Sequence, residues 1–407
     1  MKYFVLLKKN KNYCHYFIGQ MFSRFGDVLF RIALTWLVLE VTDSALYLGL
    51  TMLVNYLPKF LAGFFTGIIV DKHEKKILML ISDVTSGIAV LVFSLFVVFG
   101  YFNIILVFIV MFILSLMDTI YDPATLSFVP YIVDKSELLT ANSLLAVLVQ
   151  IMNVIGAAVS AYIIIFIGTK IVFIINAITY FLSAFIIWTI PVVTLVSNEN
   201  SLIKISLDEM VVSVRYILKD SFTKWFIALV AICNIAYSVI YMLPSIYSKV
   251  VLGSDIYGYS MIETAIAIGM VIGIYFIGII KINYVTRWFL FGNFVGGLLM
   301  ILLSSIPSLG MTLIIYFLFG MTDAISIPSY TYLQLHTPEE IRGRVYAVID
   351  AIILSAVPLG SMITGLLSDY IGVNSLLFAT GIILLSTILF CFVNRGFCDA
   401  QLSKYTE

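Results

Sequence analysis

The chain has 407 residues, of which 62% are hydrophobic and 11% charged, whereas a soluble domain is about one-quarter charged and about half apolar. That composition excludes a water-facing globule. The 23 basic and 23 acidic residues cancel, so no nucleic-acid or acidic partner follows from charge; four scattered cysteines and three histidines suggest neither a disulfide frame nor a metal centre.

In chain order, Lys2, Lys8, Lys9 and Lys11 precede an apolar stretch that carries Arg24, Asp27 and Arg31 and has no small-residue cleavage site. This is the pattern of a retained first helix rather than a signal peptide. A spanning helix needs about 20 mostly apolar residues. That criterion predicts twelve spans: 13–41, 44–70, 77–99, 104–128, 137–167, 170–193, 223–248, 258–280, 288–306, 310–334, 344–371 and 373–394. Connections such as Gly100-Tyr101-Phe102-Asn103 join antiparallel neighbours. Most lysines and arginines fall on alternate loops, among them Lys72, Lys75, Lys76, Lys135, Lys204, Lys281, Arg342 and Arg395, which by the positive-inside rule places both termini in the cytoplasm. The expected organisation is an N-terminal six-helix bundle (1–193), a cytoplasmic linker (194–222), a C-terminal six-helix bundle (223–394) and a cytoplasmic tail (395–407). Within the linker, Leu207, Val211, Val214 and Leu218 recur at helical spacing, and Ser206 with Glu209 has the form of a capping box, so an amphipathic surface helix is expected there.

The halves repeat. Asp118-x4-Pro123-Ala124 in the fourth span returns as Asp323-x4-Pro328-Ser329 in the tenth, and Gly156 and Gly168 return as Gly360 and Gly372. Two parallel repeats related by an axis along the membrane normal are one transporter plan, with the substrate site at mid-depth between them.

Charged residues inside a bilayer are costly unless paired or hydrated, so each is a functional candidate. At 1.5 Å per residue, Asp27, Asp118 and Asp323 each lie about 20 Å into their helices, near the midplane. Arg24, Asp27 and Arg31 share one face of the first helix. Their reading is either a self-neutralising ion network or a cation that releases a cavity carboxylate on protonation. Lys59 beside Pro58 is a partner for Asp27 or for a second aspartate. Asp118 and Asp122 stand four residues apart on the fourth span, and a carboxyl shielded from water beside another acid is suited to carrying a proton near neutral pH. Asp350, Glu263, His15 and His336 stand nearer span ends and rank lower, and Tyr237, Tyr241 and Trp36 are aromatics that either contact a solute or pack.

Gly67-Ile-Ile-Val-Asp71-Lys72-His73-Glu74-Lys75-Lys76 resembles the G-x-x-x-D-(R/K)-x-x-(R/K)-(R/K) signature of the major facilitator superfamily. Leu57-Pro58, Asp122-Pro123-Ala124, Arg342-Gly343-Arg344-Val345 and Pro358-Leu359-Gly360 strengthen the likeness, which is greatest to the bacterial drug and proton antiporters of the macrolide-efflux-like branch. The chain departs from that branch in having Leu114 where many members carry an arginine, and Gly156-Ala157 without the antiporter proline. The resemblance implies an all-α membrane protein of twelve helices around a central cavity lined by spans one, four, seven and ten. It further implies a gate in which Gly67 allows close approach, Asp71 sits against span eleven near Arg344, and Asp122 meets Lys75 or Lys76.

The expected function is proton-coupled efflux of a lipophilic compound, such as a macrolide-like drug, a peptide antibiotic or a siderophore, from the bacterial cytoplasmic membrane. The proton gradient is the energy source, no cofactor is expected, and the partners are the lipid bilayer, protons and a small lipophilic solute, with the protein a monomer. Uptake or facilitative transport of a small nutrient is the alternative within transport. A lipid-modifying enzyme is disfavoured because no loop holds a catalytic domain and no Walker A motif or clustered His and Cys pattern occurs.

Overall fold

The computed structural model describes residues 2–191, 214–280, 282–390 and 395–401. They form helices almost throughout: α1 (Lys2–Lys9), α2 (Lys11–Thr42), α3 (Ala45–Lys72), α4 (Lys75–Val98), α5 (Ile104–Ile132), α6 (Leu138–Ile167), α7 (Thr169–Trp188), α8 (Ser221–Val250), α9 (Ile256–Ile279), α10 (Val285–Ser305), α11 (Leu309–Asp323), α12 (Ile327–His336), α13 (Glu339–Ile371), α14 (Val373–Ser386) and α15 (Arg395–Cys398). Each of the twelve expected spans falls on helix, the tenth on α11 and α12 together. Among the described residues, nine helical stretches are long and apolar enough to cross a membrane. The first expected span, α2, falls short of that measure because Arg24, Asp27 and Arg31 interrupt its apolar run. Of the expected linker helix, residues 214–219 are helical and the remainder lies outside the described residues.

The chain divides into two compact units, one of residues 1–43 and 54–203, the other of residues 44–53 and 204–407. In the first, α2 packs on α6 and α7, and α4 on α5 and α7; in the second, α8 packs on α13 and α14, and α10 on α11 and α14. The pairings correspond helix by helix. Gly168 (φ 87°) and Gly372 (φ 80°) occupy the same left-handed turn between the fifth and sixth helix of their units, a conformation open to glycine without strain. Gly156 and Gly360 also match: a Cβ on Gly156 would lie 2.8 Å from Val28 of α2, and one on Gly360 would lie 2.9 Å from the Ile235 carbonyl of α8. The repeat read in the sequence is therefore a repeat of backbone turn and of helix contact.

Both polar ends are more ordered than tails. α1 precedes the first span, with Leu6 buried among Tyr13, Tyr16 and Phe128; Asn10 caps α2 by accepting from Tyr13 N at 3.0 Å and donates to the Ile132 carbonyl at 2.6 Å. At the other end, Phe397 of α15 is buried beside Phe222, and Arg287 meets Asp399 at 2.5 Å. The cysteines do not all stand alone: Cys14 and Cys233 are free, but Cys398 is disulfide-bonded. Its spacing to any other cysteine matched no metal or redox motif, so the sequence carried no signal for it.

Candidate functional site

Polar and ionisable side chains converge in the first unit, where four helices each contribute to one recess. α2 supplies Ser23, Arg24 and Asp27; α4 supplies Ser82, Asp83 and Ser86; α5 supplies Met117, Asp118 and Tyr121; and α7 supplies Tyr180. These helices are apolar elsewhere, so their hydrocarbon faces are satisfied by packing and lipid, and the polar groups have one another to bond. The recess measures about 10 Å³, the scale of a single water molecule. Its dimensions exclude an organic solute.

The partners within it differ from those expected. Arg24 Nη2 lies 3.0 Å from Asp122 Oδ1. Asp122 was expected against Lys75 or Lys76, but the turn of α5 directs it to α2. Lys76 Nζ instead donates to the Trp188 and Ile190 carbonyls at 2.9 and 2.6 Å, closing the C-terminal end of α7, and Lys75 Nζ donates to the His73 carbonyl at 3.2 Å. Asp27 is likewise not the mate of Arg24: its Oδ1 accepts a 2.6 Å hydrogen bond from the Tyr180 hydroxyl. Lys59 takes the second of its two expected roles, with Nζ 3.8 Å from Asp118 Oδ2. That distance is loose, and the two side chains are 29% and 41% exposed, so the pair is one that solvent or a ligand can open. Arg31 is engaged elsewhere and does not line the recess.

Asp83 was not among the sequence candidates. It is 2% exposed, and Ser183 Oγ of α7 donates to its Oδ2 at 2.7 Å. The signal was available, an ionisable residue within an apolar helix, but the sequence reading did not single it out.

The second unit is simpler. Asp323, the last residue of α11, accepts a 2.9 Å hydrogen bond from the Tyr241 hydroxyl of α8, and Tyr237 donates to Asn293 at 2.5 Å. Both tyrosine rings stand edge-on to Phe319. Both side chains are thus held by protein groups. A 3₁₀ stretch, Ala324–Ser326, interrupts the tenth span directly after Asp323; such breaks leave backbone groups free for ligands or motion. α5 continues as α-helix through the equivalent Pro123. Gly67, Asp71 and Arg344 of the expected gate lie outside the residues whose side chains are described.

The Major Facilitator Superfamily model matches residues 16–352. The macrolide efflux protein A of Streptococcus pyogenes is 24% identical over 394 residues, covering 92% of this chain and 93% of that protein. The staphyloferrin A transporter of Staphylococcus aureus is 26% identical over 401 residues, covering 93% and 96%. Among solved structures, the nucleoside transporter NupG superposes with a TM-score of 0.72 at 12% identity, over 95% of this chain and 98% of that one. A bacterial homologue of the iron transporter ferroportin, in an inward-facing state, gives 0.73 at 14% identity over 93% and 98%. Family model, relatives and fold agree: the chain belongs to the Major Facilitator Superfamily and is a multi-pass membrane transporter.

Proposed function

We propose that this transporter exports a lipophilic compound of the macrolide, peptide-antibiotic or siderophore kind in exchange for protons, by alternating access. The observation that carries the reading is the recess of the first unit, in which Asp27 and Asp118 share a water-sized space with Tyr180 and Ser82. Carboxyl groups placed this deep in an apolar bundle are retained at a cost of a few kcal/mol or more, a cost with no return unless they bind or move charge. Support for the solute class comes from the relatives named for macrolide efflux and staphyloferrin A transport. The protein works without a cofactor or catalytic step, as a monomer of two six-helix bundles in the bacterial cytoplasmic membrane, with both termini inside; its partners are lipid, protons and the solute, and not nucleic acid.

The test is accumulation of labelled erythromycin in inside-out proteoliposomes carrying an imposed proton gradient. The expected result is uptake against the drug's concentration gradient that collapses with a protonophore. Accumulation insensitive to the protonophore, or none across a panel of macrolides, peptide antibiotics and ferric siderophores, removes the proposal in favour of facilitative or nutrient transport.

A further inference from the structure

Asp83 of α4 and its neighbour Ser82 are each 2% exposed. The hydrogen bond to Asp83 comes from a hydroxyl, that of Ser183 at 2.7 Å, and among the described residues no basic side chain lies within ion-pairing distance of it. Ser82 lines the recess and its hydroxyl has no hydrogen-bond partner among the described residues. An unsatisfied buried hydroxyl is costly, and a polar space of about 10 Å³ has room for a single water molecule to satisfy it. The charged and titratable groups facing this point are Arg24 and Asp27 from α2, Asp118 and Tyr121 from α5, and Tyr180 from α7. Arg24 is taken by Asp122 and Lys59 approaches Asp118. Of the acids lining the recess, Asp27 and Asp83 are thus the two whose hydrogen bonds among the described residues come from hydroxyls, through Tyr180 and Ser183.

We propose that Asp83 is a second proton carrier of the transport cycle and exchanges its proton with Asp27 through one water molecule held by the Ser82 hydroxyl. In the transfer, the O–H bond of the Asp83 acid breaks as the water oxygen takes the proton, and one of the water's own protons passes to a carboxylate oxygen of Asp27. The electron pairs stay on the oxygens. A neutral Asp83 and an ionised Asp27 become an ionised Asp83 and a neutral Asp27, with the water regenerated. The arrangement keeps the number of bare carboxylates in the bundle constant during the step, which avoids the penalty for burying an additional unpaired charge. The inference rests on the proton-coupled reading above.

The experiment uses the full chain in proteoliposomes and reads two things: infrared difference spectra of the carboxyl C=O band after a step from mildly alkaline to mildly acidic pH without solute, and gradient-driven erythromycin accumulation. Asp83→Asn is expected to remove one component of the wild-type band, Asp83→Glu to restore it at a shifted frequency, and Ser82→Ala to shift it with the fold intact. Accumulation by Asp83→Asn should fall to the level of protein-free vesicles and recover in part with Asp83→Glu. A difference spectrum unchanged by Asp83→Asn overturns the assignment. Should that variant fail to insert, a band unmoved by both Asp83→Glu and Ser82→Ala overturns it equally. Wild-type protein that shows the Asp83 band but accumulates neither erythromycin nor any other macrolide, peptide antibiotic or ferric siderophore under the gradient overturns the coupled-export reading, and with it a transport role for Asp83.

Discussion

Arg24 is paired across helices with Asp122 at 3.0 Å, although Asp27 stands only three residues along its own helix. The i, i+3 spacing places Arg24 and Asp27 on one face, but the neighbouring helix decides which acid reaches the guanidinium. Asp122→Asn therefore strands a cation, whereas Asp27→Asn removes a charge but keeps an amide oxygen able to accept from the Tyr180 hydroxyl. The expected order of damage is the reverse of what a pairing within α2 would give. Asp122→Asn should lower stability by about 1 kcal/mol, the upper end for an ion pair that solvent reaches, and Arg24→Gln added to it should recover much of the loss. Thermal unfolding in detergent of the two single variants and the double variant measures this; an additive double variant would show that the pair has no energetic coupling.

The duplicated glycines give a second expectation. A methyl group at Gly156 meets Val28 Cγ1 at 2.8 Å, which can rotate away, and Val28 Cβ at 2.9 Å, which cannot, while at Gly360 it meets the Ser238 hydroxyl and, at 2.9 Å, the Ile235 carbonyl of the facing backbone. Gly156→Ala should cost about 1–3 kcal/mol by overpacking, and Gly360→Ala more, because two backbones must separate. Yields of folded, membrane-inserted protein and melting temperatures report the difference, and equal tolerance of both substitutions would contradict the close helix approach.

The long apolar helices were legible in the sequence because hydropathy depends on local composition. That Asp27, Asp118 and Asp323 lie within such helices was legible on the same ground. What was not legible is anything set by a neighbour: that Asp122 answers Arg24, that Tyr180 answers Asp27, and that Lys76 closes the end of α7. Nor did proline reveal the broken tenth span, since Pro123 and Pro328 occupy matching positions and α5 remains α-helical where the tenth span turns 3₁₀. Asp83 met the criterion of an ionisable residue within an apolar span and was passed over, not for want of a signal.

At the start of α8, outside the spans, Asp220 caps the helix by accepting from Thr223 N at 2.8 Å, and its other oxygen lies 3.1 Å from His336 Nε2. Burial alone would raise its pKa, but the hydrogen bonds from His336 and Thr223 outweigh it and bring the group down to about 2 from 3.8. A depressed acid stabilises the fold above its unfolded value, and that stability is lost as pH falls through the folded one. The contribution of Asp220 should thus be complete above about pH 4 and vanish towards pH 2. Asp220→Ala is expected to destabilise by about 2 kcal/mol near neutrality and to converge on wild type in strong acid. Unfolding in detergent across that range measures it; a constant difference down to the lowest pH would mean that the ionised carboxylate contributes nothing.

The last expectation separates the two units by the task of their acids. Asp118 sits beside the water-sized recess with Lys59 at 3.8 Å, a separation at which proton gain by the acid loosens a pair already weak. Asp323 has a different setting, bonded to Tyr241 at the point where α11 gives way to 3₁₀ helix, and Ser326 Oγ donates to its carbonyl at 2.9 Å. If Asp118 carries charge, Asp118→Asn fixes its neutral form: downhill erythromycin exchange should persist while uphill accumulation falls to background. Asp323→Asn keeps a group able to bond Tyr241, so uphill accumulation should survive, with an altered KM if the break forms part of the solute path. Proteoliposomes at matched protein content allow exchange and accumulation to be read from the same preparation. Uphill accumulation by Asp118→Asn at the wild-type rate would take the coupling role from that residue, and loss of exchange together with accumulation would make its part structural.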